Sequence, residues 1–177
     1  MSKGRPAILG VAGYKNSGKT TLTSKLVRAY SNDGLRVSTV KHAHHAFDLD
    51  QPGTDTANHR EAGAGEVAIV SARRWAIMHE NRKGEPEPPL EDILTRLSPC
   101  ELVIVEGYKN DPHPKIVLLG ASDHAELLVR LTNVVAIALA PGVSAPETTC
   151  PVFDRDDLEG LQHFVSTHLR PALVRNA

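Results

Sequence analysis

Ala7-Ile8-Leu9-Gly10-Val11-Ala12-Gly13-Tyr14-Lys15-Asn16-Ser17-Gly18-Lys19-Thr20-Thr21-Leu22 is the stretch on which the fold turns. Pro6 to Ala12 reads as a short apolar strand, and a glycine-bearing loop follows it at once. From Thr21 the pattern is helical: Leu22, Leu26 and Tyr30 fall on one face, while Ser24, Lys25 and Arg28 face away. Between strand and helix, Gly13 to Thr20 fits Gly-x-x-x-x-Gly-Lys-Ser/Thr at every fixed position. The chemistry explains these residue types. Glycines let the backbone turn tightly, so that successive N–H groups point inward at phosphate oxygens, and the helix N-terminus adds partial positive charge. Lys19 would reach the β- and γ-phosphates, the Thr20 hydroxyl would ligate magnesium, and Thr21 can contact the α-phosphate. The plainer alternative is a glycine turn with a surface lysine, but a strand before and an amphipathic helix after are the context a phosphate cradle needs. Residues Gly13, Tyr14, Lys15, Asn16, Ser17, Gly18, Lys19, Thr20 and Thr21 are the expected nucleotide-phosphate site.

Outward from this loop, strand and helix signals alternate. Gly34 stands where a helix C-cap is expected, and Leu35 to Lys41 reads as a second strand. Asp55 to Ala62 is a short helix, and Glu66 to Ser71 with Arg74 to His79 form two tightly joined strands. Leu90, Ile93, Leu94 and Leu97 mark a helix after the loop Gly84 to Pro89. Leu102 to Val105 is apolar throughout, as a strand buried on both faces should be, and it ends at Glu106-Gly107. Further strands are expected at Lys115 to Leu119 and Val134 to Leu139. Leu158, Leu161, Val165 and Leu169 make a closing helix, with Asp154 to Asp157 near its start, where negative charge suits the dipole. The expectation is an α/β fold of the P-loop NTPase type: a mostly parallel sheet, helices on both faces and some antiparallel strands. Residues 1–177 are expected to form a single P-loop nucleotide-binding domain.

Composition excludes several classes. The 177 residues carry 20 Lys+Arg against 21 Asp+Glu, a net charge of -1, which argues against a broad electrostatic grip on nucleic acid. No apolar run approaches the roughly 18–20 residues that span a bilayer, and no signal-peptide shape opens the chain, so a cytoplasmic protein with no membrane association is expected. Cys100 and Cys150 are too few and too far apart for a disulfide framework or zinc knuckle.

Such a cradle needs a carboxylate at the end of another strand to hold magnesium, and Glu106 is the natural candidate. Gly107, Tyr108 and Lys109 stand where a GTPase would place a water-positioning glutamine, so hydrolysis is expected to be slow or partner-dependent. The guanine-reading Asn-Lys-x-Asp motif does not occur. The Lys-x-Asp of Tyr108-Lys109-Asn110-Asp111 comes too early in the chain, and the loop Leu139 to Val143 is a better place for base contacts.

Lys41-His42-Ala43-His44-His45 leads into Asp48-Leu49-Asp50-Gln51-Pro52-Gly53-Thr54-Asp55. His42 and His44 share a face of an extended chain and could suit a transition metal, although the spacing is not diagnostic. Lys41, His42 and Arg60 could instead build a phosphate-facing surface beside the cradle, and Asp48 or Asp50 could belong to a switch loop that senses a γ-phosphate. The bland reading is a polar loop with a helix N-cap at Thr54 or Asp55. His113 and Lys115 could add to a basic surface, and ordinary loop chemistry explains them equally well.

Gly13 to Leu22 resembles the P-loop of the MobB family of molybdopterin-guanine dinucleotide biosynthesis adapter proteins. So do Val40 to His45, Asp48-x-Asp50-x-Pro52-Gly53-x-Asp55, His59-Arg60-x-Ala62-Gly63-Ala64, Val105 to Lys109 and Pro114-Lys115-Ile116, in the same order over roughly the first two thirds of the chain. Thr54 stands where that family leads one to expect a lysine. The resemblance implies a GTP- and magnesium-binding accessory protein, typically a homodimer, that assists the guanylyltransferase joining GMP to molybdopterin and hydrolyses GTP weakly at most. By position it implies phosphate binding by Gly13 to Thr21, magnesium at Thr20 and Glu106, and switch or pterin-side roles for Lys41, His42, Asp50 and Arg60. Association with molybdopterin itself is a further implication. Two rivals stand beside it: a GTP-dependent metallochaperone using His42, His44 and His45, and a small-molecule ATP-dependent kinase with Asp48 or Asp50 as base.

Overall fold

A computed structural model describes residues 5–43, 47–120 and 124–173. In chain order the elements are β1 (Ala7–Gly13), α1 (Lys19–Asn32), β2 (Val37–Lys41), α2 (Asp55–Glu61), β3 (Glu66–Val70), β4 (Trp75–His79) and α3 (Leu90–Arg96). Then follow β5 (Leu102–Glu106), β6 (Lys115–Leu119), α4 (His124–Arg130), β7 (Val134–Leu139), β8 (Val152–Asp154) and α5 (Leu158–Leu173). The chain divides into two compact units, one of Met1–His42 with Leu94–Ala177, the other of Ala43–Ile93.

The larger unit is built on a six-stranded sheet in the order β2-β5-β1-β6-β7-β8. Every pairing in it is parallel. This follows from the apolar runs: β5 and β6 are buried at all five positions, which only a sheet covered on both faces allows. On one face Leu22, Leu26 and Tyr30 of α1, with Leu161, Val165 and Leu169 of α5, pack on Leu9, Val11, Ile104, Ile116 and Leu118. On the other, Leu127 of α4 and the adjacent Leu131 pack on Ala12, Val117, Leu119, Ile137 and Leu139. Each such leucine contributes roughly 1.5–3 kcal/mol by leaving water. Tyr30, sunk in the apolar layer, donates its hydroxyl to the Gln162 carbonyl at 3.1 Å, and burial pushes its pKa up. The α/β class and the helices on both faces are therefore as expected, while α4 and β8 are additions to the sequence reading.

Lys115 and His113 do not lie on a basic surface. Lys115 has no exposure and His113 is 7% exposed. The Lys115 ammonium donates to the carbonyl oxygens of Asp111, of His113 at 2.8 Å and of Thr132 at 3.2 Å, so each of its three N–H groups has an acceptor. Gly10, paired with Lys115 across the strands, makes the room: a Cβ there would lie 2.7 Å from the Lys115 Cγ and the His113 ring. Neither ring nitrogen of His113 has a hydrogen-bond partner among the described residues. Burial and the neighbouring Lys115 charge hold its pKa down at about 4.

The smaller unit holds α2 and an antiparallel pair, β3 with β4, in register from Glu66↔His79 to Val70↔Trp75. The antiparallel strands expected from the sequence are these, in a sheet of their own. Thr54 is the N-cap of α2 and accepts from the Ala57 N–H at 3.3 Å, which accounts for threonine at that position. Ile69, Val70, Trp75 and Ile77 stay exposed on the hairpin. Among the described residues no helix is long and apolar enough to cross a membrane.

Candidate functional site

Parallel sheets place ligands at the carboxyl ends of their strands, and there β1 breaks into the loop of residues 14–18 before α1 begins. Gly13 is required by space. A Cβ there would sit 2.5 Å from the Ser17 Oγ and 2.9 Å from the Leu118 carbonyl oxygen. Gly18 is required by conformation, since its φ of 95° lies in the left-handed region. Its carbonyl accepts from the Leu22 N–H at 3.0 Å and so opens α1, leaving the first N–H groups of the helix directed into the loop. The Ser17 Oγ is buried and has no partner within the described protein, an orphan that an oxygen-rich ligand would satisfy.

Lys19 folds over this loop and donates to the Tyr14 carbonyl at 2.5 Å. Burial lowers its pKa; Glu106 opposes that shift, and the charges of Lys109 and Lys41 add to it. The Thr20 hydroxyl donates to Glu106, at 3.0 Å from Oε1 and 3.4 Å from Oε2. β2 and β5 bring Lys41 opposite Glu106, and the Lys41 Nζ lies 3.8 Å from Oε1. Glu106 is only 8% exposed, so its carboxylate is held among these cations with little water. A hydroxyl and a carboxylate side by side are hard oxygen donors suited to Mg²⁺, and Thr20 with Glu106 would hold it.

Around this pair the backbone is tightly formed. The His42 N–H donates to the Glu106 carbonyl at 2.8 Å, and the His42 ring meets Tyr108 with centroids 4.7 Å apart. Tyr108, at φ 44°, is one of the few non-glycine residues in the left-handed region, which aims its ring back at His42. Asp111 N–H closes the turn on the Tyr108 carbonyl at 3.1 Å. Lys-x-Asp here is thus part of a turn whose Asp111 carbonyl receives Lys115.

The structure brings together Gly13 to Thr21, Glu106, Lys41 and His42. Asp50 and Arg60 belong to the smaller unit and face one another there. Arg60 reaches Asp48 at 2.7 Å, Glu80 at 3.0 Å and Asp50 at 3.2 Å, and the Glu80 and Asp48 hydrogen bonds raise its pKa. His44 and His45 lie outside the described residues. Among the described residues no three His, Cys, Asp or Glu side chains gather as a metal group. Two parts of the cradle's surroundings escaped the sequence reading. Lys109 acts electrostatically on Lys19, and the β8–α5 turn approaches Gly18 and Thr21 with Arg155 and Asp156. The signal for this turn in the sequence is the acidic run Asp154 to Asp157, which also suits the dipole of α5.

Comparison with known proteins matches this architecture. The family model described as MobB, molybdopterin guanine dinucleotide synthesis protein B, matches residues 8–140. The chain is 37% identical over 162 residues to the molybdopterin-guanine dinucleotide biosynthesis adapter protein of Escherichia coli, covering 89% of this chain and 90% of that one. It is 41% identical over 114 residues to the adapter protein of Haemophilus influenzae, covering 63% and 62%. The crystal structure of a MobB homologue from Bacillus stearothermophilus superposes with a TM-score of 0.71 at 30% identity, over 93% of this chain and 98% of that one. Bacillus subtilis MobB superposes with a TM-score of 0.74 at 26% identity, over 90% and 96%. With a braced phosphate loop, a strand-end carboxylate beside it and relatives of this kind along nearly its whole length, the chain belongs to the MobB family of molybdopterin-guanine dinucleotide biosynthesis adapter proteins.

Proposed function

We propose that this adapter binds GTP with Mg²⁺ in the cradle Gly13 to Thr21 and assists a guanylyltransferase that joins GMP to molybdopterin. The observation that carries the reading is the Thr20–Glu106 pair at 3.0 Å beside Lys19. When bound, Mg²⁺ would offset phosphate charge between the Thr20 hydroxyl and the Glu106 carboxylate. Lys19 exchanges its bond to the Tyr14 carbonyl for phosphate oxygens, and the Ser17 hydroxyl finds a partner. Lys41 sits where it can balance Glu106 or meet a γ-phosphate. With Gly107, Tyr108 and Lys109 after Glu106, and Tyr108 engaged with His42, the site is better built to hold nucleotide than to align a water. Hydrolysis by the isolated protein is accordingly slow.

A homodimer is part of the same reading. A two-stranded hairpin is marginal alone in water, and this one exposes Ile69, Val70, Trp75 and Ile77. A second copy of the chain is the proposed cover, and Trp75→Glu should shift the protein to monomer in light scattering.

Calorimetric titration of the purified protein with GTP and ATP in magnesium buffer, with Lys19→Ala as control, tests the nucleotide reading. GTP binding that the variant loses supports it; preference for ATP overturns it. Adding the protein to a guanylyltransferase with molybdopterin and GTP should raise dinucleotide yield, and no rise would remove the accessory role.

A further inference from the structure

The cradle has a direction. Thr20 and Glu106 mark the side of β1 toward β5, where the terminal phosphates and the metal belong. A nucleoside must then leave over Thr21, on the side of β1 toward β6. There the protein has a recess of about 140 Å³ lined by Gly18, Thr21, Leu22, Lys25, Leu118, Arg155 and Asp156. It shares Thr21, Lys25 and Asp156 with a wider groove of about 880 Å³ that runs along α1 to Gln162 of α5.

Arg155 and Asp156 come from the turn between β8 and α5, and that turn is braced. The Arg155 N–H donates to the Leu139 carbonyl at 2.8 Å and the Asp156 N–H to the Asp154 Oδ1 at 2.8 Å. The Asp157 N–H reaches the Asp154 carbonyl at 3.0 Å, and the Asp157 carboxylate accepts from the Gly160 N–H at 2.9 Å. Two of the three acidic groups are therefore engaged with their own backbone, and Asp156 is the one left facing the recess. The Arg155 guanidinium lies 3.8 Å from the Cβ position of Gly18, directly over the last glycine of the phosphate loop. Lys25 touches Asp156 at 3.1 Å through Oδ1, and a carboxylate with about four lone-pair sites keeps capacity for further donors.

We propose that Asp156 reads the base of the bound nucleotide, accepting N1–H and the N2 amino group of guanine while Arg155 covers the base or ribose. The inference rests on the nucleotide reading of the cradle and deepens it. Guanine presents two adjacent donors on its Watson–Crick edge, a match for one carboxylate. Adenine presents the N1 lone pair there and is repelled, so Asp156 selects by attraction and by rejection together. The loop Leu139 to Val143, expected from the sequence to approach the base, is tied to this turn by the Arg155 N–H bond to the Leu139 carbonyl.

The test is calorimetric titration of the full chain and of Asp156→Asn and Arg155→Ala with GTP, ATP and xanthosine triphosphate, with Lys19→Ala as reference. Xanthine carries a carbonyl where guanine carries the amino group, so an amide at position 156 should favour it. The expected result is a loss of GTP affinity of about tenfold or more in Asp156→Asn, with a gain for xanthosine triphosphate over wild type, since a bidentate pair discriminates by about that factor. Arg155→Ala should weaken GTP and xanthosine triphosphate alike. If Asp156→Asn keeps the wild-type preference while Lys19→Ala abolishes binding, the inference fails and the cradle reading stands. If Asp156→Asn unfolds at the wild-type temperature yet loses GTP without gaining xanthosine triphosphate, Asp156 acts on charge alone and the inference again fails. If the wild type binds no nucleotide, both readings fall.

Discussion

Two lysines show how one side chain serves two ends. Lys19 and Lys115 both have pKa values lowered by burial, and both donate to backbone carbonyls. Lys115 fills all three of its N–H groups with carbonyls from three places in the chain, and it has no exposure. Among the described residues Lys19 has one such bond, to Tyr14 at the start of the loop before α1. A saturated ammonium has nothing left to offer a ligand. An ammonium with a single carbonyl can exchange it for phosphate at little cost. The difference between scaffold and site here lies in how many partners are already taken.

That contrast can be broken most directly at the scaffold lysine. Lys115→Met should lower stability by roughly 3–5 kcal/mol, since three carbonyls lose their donor at about 1–3 kcal/mol each and the relief from desolvating the ammonium offsets part. A urea midpoint within error of wild type, at unchanged slope, would show that the three acceptors find other donors.

His113, packed beside Lys115, should make the same region sensitive to acid. Its folded pKa of about 4 lies below the ordinary 6.5, so the unfolded chain takes up this proton first. Stability from this group is complete above about pH 6.5 and is lost as pH falls toward 4, by on the order of 3 kcal/mol in all. A His113→Leu variant whose denaturation midpoint falls with pH as steeply as wild type would contradict this.

At the site lysine the effect moves from stability to binding. Lys19→Ala should change unfolding free energy by less than about 1 kcal/mol and weaken nucleotide binding by about a hundredfold, the weight of charge-assisted bonds to phosphate. Equal losses in melting temperature and affinity would erase the distinction between the two lysines. The smallest effect sharpens it: because Glu106 raises the Lys19 pKa against burial, Glu106→Gln should lower it further. Titration of the Lys19 side chain by NMR reads this, and an upward shift would contradict the stated balance of charges.

Much of this was legible in the sequence because the chemistry is local. The phosphate loop spans eight consecutive residues of which four, Gly13, Gly18, Lys19 and Thr20, have set identities, and Leu102 to Val105 of β5 is an apolar run that only a doubly covered strand tolerates. Glu106 stands at the end of that run, from which its approach to Thr20 could be expected. The burial of Lys115 could not, because its acceptors at Asp111 and Thr132 are created by the fold, and a lysine beside a proline looks like a surface residue. β8 is three residues long at the edge of its sheet, too short for any periodicity to register. α4 has its large apolar residues, Leu127-Leu128-Val129, in an unbroken run that lacks the three-and-four spacing by which α3, equally short, can be read. Arg155 and Asp156 reach the recess only because α5 returns against α1, and the sequence spacing between positions 21 and 156 says nothing of that.

The strand order has a consequence for how the protein is made. β1 lies between β5 and β6, so its two neighbours are Leu102–Glu106 and Lys115–Leu119. At about 5–20 residues per second, a ribosome leaves the first strand without either partner for roughly 5–20 seconds after it emerges. For that interval Ala7 to Val11 is an apolar segment with two open edges, and the loop after it has no carboxylate opposite it. Thr20 likewise waits for its partner, because the Thr20–Glu106 pair exists only once Glu106 has been translated.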